Sequence, residues 1–301
     1  MNKIYKSKWS RVTQTWVATS ELTKGMGKAA AVVSLMALSN SAFAADCVAA
    51  ADGSYLPGNT IPSCNNVVAA TATQSGAAGY YILTRSRLHE PLTVGNTVVT
   101  ANVTEGYSGI GNQYATGASG AAINTGNLTF NVKANGGVRG IGTHSNVNMT
   151  TKNVILNLTD NYTAGNSSGV VEQYGVLTGS TVDSGEGATY NGQYSTITTE
   201  NLTINQTATG GKVNPILNNG IRAIQGAYQN LGNGSAGQVI VNGNLDMTLT
   251  GNRSIGIYVS GNQSNHGDAT AAGANGSLTP KVILNGDANI TINKGTDTSF
   301  I

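Results

Sequence analysis

The sequence predicts an all-β protein: a right-handed parallel β-helix (solenoid) preceded by a cleaved export leader. Three observations carry that prediction. Apolar and polar residues alternate strictly in several short segments; those segments return along the chain at similar spacing; and the N-terminus has the charge and hydropathy pattern of a secretion signal. The chain has 301 residues, enough for one large domain or two small ones.

The leader comes first. Residues 1–28 carry Lys3, Lys6, Lys8, Arg11, Lys24 and Lys28 against the single acid Glu21, a net charge of +5. The rest of the chain has ten basic and thirteen acidic residues, so it is −3, which disfavours a nucleic-acid-binding surface on the main body. Both tryptophans, Trp9 and Trp16, lie in this basic stretch. Next comes the apolar run Ala29 to Leu38, too short for a membrane-spanning helix, which takes about 20 residues. The string Ser-Ala-Phe-Ala then places Ala42 and Ala44 at the small-residue positions that signal peptidase reads, so cleavage is expected after Ala44, leaving Ala45 as the new N-terminus. Asp46 precedes Cys47, where a lipoprotein signal needs a small residue. The leader thus spans 1–44, with a basic extension at 1–28 and an apolar core and cleavage site at 29–44.

The basic extension resembles a known family feature. Met1-Asn2-Lys3-Ile4-Tyr5-Lys6, then Trp9, then Trp16-Val17-Ala18, then Ser20-Glu21-Leu22 and a closing Lys/Gly segment are similar to the extended signal peptide region of Gram-negative type V secretion proteins. Ser10 and Thr19 depart mildly from the usual Asn and Val. The resemblance implies export by the Sec translocon, removal by signal peptidase, and delivery to the cell surface or beyond by an outer-membrane β-barrel translocator that this chain does not show. It also implies that the extension slows release from the inner membrane, and amphipathic Trp and Lys side chains suit a membrane interface.

After Ala44 there is no Trp, and Phe130 and Phe300 are the only phenylalanines. A broad globular core would be hard to fill; a narrow one lined by Val, Ile and Leu would not. Leu128, Phe130 and Val132 alternate with Thr129, Asn131 and Lys133. Leu202 and Ile204 alternate with Thr203 and Asn205. Leu245, Met247 and Leu249 alternate with Asp246, Thr248 and Thr250, and Ile290 and Ile292 repeat the pattern. A period of two puts the apolar groups on one sheet face.

Asn127, Asn157, Asn201, Asn244 and Asn289 head these segments at spacings of 30, 44, 43 and 45. Between them fall Gly-Ile or Gly-Val elements beginning at Gly109, Gly140, Gly175, Gly220 and Gly256. A third echo, Val-Ile-Leu-Asn or Val-Ile-Val-Asn, begins at 154, 239 and 282. Interleaved repeats with variable polar inserts fit stacked coils, two coils of about 20 residues making one repeat. An antiparallel sandwich or barrel is the competing fold, because Asn-Gly pairs at 135–136, 219–220, 242–243 and 285–286 are also hairpin signals. The expected division is a cap over 45–78 and a β-helix over 79–301, cut off at its C-terminal end inside a further repeat.

Few residues suggest chemistry. Cys47 and Cys64 are the only cysteines, and in an oxidising periplasm they are expected to pair, stabilising the cap by about 3 kcal/mol in the chain-entropy model. His89, His144 and His266 are the only histidines. His144, Asp183 and Ser184 could form a triad, but the surrounding Asp-Ser-Gly-Glu-Gly lacks the flanking residues of chymotrypsin-like sites and reads as a polar loop. Asp160, Glu172, Glu200, Asp246 and Asp287 are isolated acids, with Asp246 and Asp287 near equivalent repeat positions. Asn102, Asn127, Asn157, Asn201 and Asn289 begin Asn-x-Thr strings, read as strand and turn chemistry ahead of glycosylation. No cofactor or metal is expected. The expected role is a surface-displayed or secreted passenger in adhesion or cell–cell aggregation, partnering copies of itself or a host-cell or matrix receptor. The alternatives are an enzymatic passenger, either serine protease or glycan-active, and a passive stalk.

Overall fold

A computed structural model describes residues 5–10, 15–20, 66–67, 71–76, 79–84, 92–112, 122–143, 147–161, 172–179, 194–209, 217–226, 235–251, 253–263 and 278–293. The chain divides into two compact units, Met1–Ala44 and Ala45–Ile301. In the first, β1 (Tyr5–Ser10) and β2 (Thr15–Ser20) form an antiparallel hairpin whose register sets Trp9 opposite Trp16. Nothing in the alternation pattern announced this hairpin.

The second unit is a stack of rungs, each made of up to three strands. The first rung holds β3 (Asn66–Val67), β4 (Thr71–Gly76) and β5 (Gly79–Thr84). The second holds β6 (Leu92–Val94), β7 (Thr97–Val103) and β8 (Tyr107–Asn112); the third, β9 (Ala122–Thr125), β10 (Leu128–Ala134) and β11 (Val138–Thr143). The fourth holds β12 (Asn148–Thr150), β13 (Asn153–Asp160) and β14 (Glu172–Thr178); the fifth, β15 (Tyr194–Thr199), β16 (Asn201–Ala208) and β17 (Leu217–Gly226). The sixth holds β18 (Ala236–Val241), β19 (Leu245–Thr250) and β20 (Arg253–Gln263), and the last β21 (Lys281–Leu284) and β22 (Ala288–Asn293). First strands pair only with first strands, second with second and third with third, always parallel, giving sheets of seven, seven and six strands. No helix occurs among the described residues. This is a parallel β-helix, and the antiparallel alternative is set aside for this unit.

The core is three aliphatic columns, one per sheet. Val99, Phe130, Leu156, Ile204 and Met247 stack in the second sheet. Ile110, Ile141, Val176, Ile221 and Ile257 stack in the third. Ile123, Met149, Ile197, Val239 and Val282 stack in the first. Nearly all are fully buried, Phe130 among them as the bulkiest, so the narrow core suits a chain poor in aromatics. Burying a side chain of this kind is worth about 1.5–3 kcal/mol.

The Gly-Ile elements form the third sheet, and the glycines have a steric reason. A Cβ at Gly175 would lie 2.7 Å from the carbonyl oxygen of Gly220 and 3.1 Å from the Ile204 side chain; a Cβ at Gly220 would lie 2.7 Å from the Gly256 oxygen and would also strike the Met247 sulfur. Gly175 and Gly220 are buried, as are Val176 and Ile221 after them, so at each glycine the backbone itself packs against its neighbours.

The structure departs from the sequence reading in several places. One repeat is one rung, not two coils: Leu202 pairs directly with Leu245, and Leu245 with Ala288, so the repeat length is taken up by connections between strands. The echo at 154–157 is not equivalent to those at 239–242 and 282–285. Val154 lies in the second sheet, whereas Val239 and Val282 pair with each other in the first. The Asn-Gly pairs do not turn through positive φ, which occurs among the described glycines at Gly76, Gly137 and Gly179; Asn219–Gly220 lies inside β17. Among the described residues of this unit, the first stacked strand is Asn66–Val67, paired with Thr93–Val94.

Candidate functional site: the outer face of the second sheet

Alternation that sends aliphatic groups inward sends Asn and Thr outward, and parallel in-register stacking places like on like. At the corner between first and second strands, Asn153 Nδ2 donates to Asn127 Oδ1 at 2.9 Å and Asn201 Nδ2 to Asn153 Oδ1 at 2.8 Å. The backbone N–H of Asn127 donates to Asn96 Oδ1 at 2.8 Å, that of Asn244 to Asn201 Oδ1 at 2.8 Å, and that of Asp287 to Asn244 Oδ1 at 3.3 Å. The stack at this corner is therefore Asn96, Asn127, Asn153, Asn201, Asn244 and Asp287.

Sequence spacing misassigned two members of that column. Asn157 belongs to a second ladder four residues into the strand, where Asn157 Nδ2 donates to Asn131 Oδ1 at 2.8 Å and Asn205 Nδ2 to Asn157 Oδ1 at 2.9 Å. Asn289 pairs with Asp246, not with Asn244. Asp246 and Asp287 are accordingly in different columns, both exposed.

Two outward rows run across β7, β10, β13 and β16. One is Thr100, Asn131, Asn157 and Asn205; the other is Asn102, Lys133, Thr159 and Thr207. Between them lies an open trough of about 430 Å³, floored by the strand segments at Ala101, Val132 and Leu158. Lys133 is its one charged lining residue. Asn157, in the middle of the ladder, uses one N–H and one lone pair along the column, and a side-chain amide carries a second of each. The strict alternation could have located the two rows; the trough needed the register.

Other polar groups are built into the rod. Asp160 is fully buried and accepts from the Gly137 N–H at 2.8 Å, holding the turn between β10 and β11, so it is not a surface charge. Gln206 Nε2 donates to Asn218 Oδ1 at 3.1 Å inside the core. Outside the third sheet, Arg222 donates to Tyr174 Oη at 2.7 Å and lies 5.2 and 5.5 Å from the Tyr174 and Tyr258 ring centroids, a buried cation held between two aromatic faces.

The remaining candidates do not converge. Glu200 is exposed at a tight corner, and Glu172 pairs through its backbone with Leu217. Among the described residues, no three His, Cys, Asp or Glu side chains come together to hold a metal. Ala42, Ala44, Ala45, Cys47, Cys64, His89, His144, Asp183, Ser184 and His266 lie outside the described residues.

Residues 1–50 match the family model described as the extended signal peptide of the type V secretion system. Comparison with curated proteins and with solved structures found no match. The match covers the leader and the first few residues after it. The chain is thus addressed for export to the outer-membrane surface or for secretion, and the exported part is built of stacked parallel strands.

Proposed function

We propose that the exported β-helix is a contact protein, acting in adhesion or cell–cell aggregation through the outer face of its second sheet. The observation that carries this is the pair of registered rows along that face, Thr100 to Asn205 and Asn102 to Thr207, in which Lys133 is the sole charge. Single hydrogen bonds made by such groups contribute about 1 kcal/mol. A face that repeats them rung after rung, on many copies at a cell surface, multiplies weak contacts into firm attachment. The secretion signal at residues 1–50 delivers the face to where such contacts are made.

Comparing cells that export the full-length protein with an otherwise identical strain lacking it tests this. Faster settling of the producing cells, or greater retention on host cells or matrix, is expected, and Asn157→Leu should reduce it. Identical behaviour of the two strains would sink the reading.

A further inference from the structure

Resting on that reading, we propose that the trough between the two outward rows is a seat for a linear acidic glycan lying along the rod axis, with one sugar carboxylate at Lys133. Three features point to this ligand.

The first is the repeat. Successive rungs, and so successive amides of Asn131, Asn157 and Asn205, are about 4.8 Å apart. An extended peptide laid along the axis presents like-facing groups about every 6.6 Å and falls out of step. An extended chain of equatorially linked pyranoses advances by nearly one rung per sugar and turns over at each link, so its like-facing groups recur about every second rung and stay in step with the amides.

The second is the width and shape. The rows are two residues apart along each strand, about 6.6 Å, so the hydroxyls on the two edges of a sugar ring lying over the trough can each reach one row. The volume, about 430 Å³, lies in the range of small-ligand sites. A recess between raised rows receives a narrow chain, whereas a second rod would bring its own raised rows.

The third is charge. Lys133 is exposed and, among the described residues, no carboxylate is placed beside it; its neighbours across the sheet are Asn102 and Thr159. The Lys133 ammonium is a charged donor for a carboxylate, with the Asn102 amide and the Thr159 hydroxyl one rung away on either side for the neighbouring hydroxyls. A trough with a single cation and no acid favours an anionic chain over its neutral counterpart.

The test uses protein exported by cells producing the full chain, titrated with a hexamer of β-1,4-linked mannuronate and with neutral β-1,4-mannohexaose, which differ at C6. The acidic hexamer should bind about tenfold more tightly, the difference of one charge-assisted contact. Lys133→Gln should erase that preference, Asn157→Leu should abolish binding of both sugars, and Asn285→Ala, at another corner, should leave binding unchanged. Circular dichroism and the thermal midpoint establish that each variant is folded. Equal binding of the two sugars, or a preference that survives Lys133→Gln, would overturn the proposal. If neither sugar binds while Asn157→Leu stops cell aggregation, the trough is a seam between copies of the chain: the glycan is wrong and the contact function stands. If the acidic hexamer binds as expected but producing cells neither aggregate nor adhere, the seat stands and the contact function fails.

Discussion

Between the first and second strands of a rung, the chain turns within a few residues: Gly95–Asn96, Gly126–Asn127, Glu200 alone, or 242–244. Between the third and first strands, the connections are uneven: one is as short as 144–147, and the others run over 85–91, 113–121, 179–193, 227–235 and 264–280. The same core is served at both corners, yet only the tight one is laced from rung to rung by amides. A corner that always turns at the same place can be locked by side chains in register. A corner that releases inserts leaves the register to the aliphatic columns and to the glycine column of the third sheet. Length variation is thereby kept away from the tight corner: it falls between third and first strands and, at 161–171 and 209–216, between second and third strands.

Four changes would break or sharpen this contrast, each measured as unfolding free energy in urea. Phe130→Ala removes the largest core side chain, on which both corners depend, and should cost about 4 kcal/mol. Gly243→Val attacks the tight corner alone: its Cβ would lie 2.7 Å from the Glu200 carbonyl oxygen, besides striking the Asn201 amide, and about 3 kcal/mol should be lost. Asn153→Ala removes one donor and one acceptor from the middle of the exposed ladder, a loss of about 1 kcal/mol. Halving the connection between Gly179 and Tyr194 should change stability by no more than about 0.6 kcal/mol, since closure entropy varies slowly with loop length. If that last change proved as costly as Gly243→Val, the two corners would be equivalent and the contrast wrong.

Much of the rod is legible in the residues. The alternation at Leu128–Val132, Leu202–Ile204 and Leu245–Leu249 is the inward column of the second sheet, and the Gly-Ile elements are the third sheet in correct alignment. The first sheet is much less legible, because Asn148–Thr150 and Leu92–Val94 are too short to show a period. The asparagine columns were confused for a physical reason. Asn127 and Asn131 both face outward, four residues apart, and Asn-Leu-Thr occurs in both columns, at Asn127 and Asn201 in one and at Asn157 in the other. Only pairing distinguishes them. The repeat length is ambiguous for a similar reason: 43 residues suggest two short coils unless connections such as 209–216 and 227–235 are known to lie outside the strands. The candidate trough depends on two rows set side by side by stacking. No single segment contains both the Asn131–Asn205 ladder and its facing row.

One property of the ladders concerns how such a rod is extended. Asn153 gives to Asn127, Asn201 to Asn153, Asn157 to Asn131, Asn205 to Asn157 and Asn285 to Asn242, in every case the later residue to the earlier. Each completed layer therefore presents a waiting oxygen to whatever is laid upon it. An added layer needs only an amide in the matching column to find its place, so the molecule carries a one-way template. Lengthening by duplication requires no redesign of what is already built.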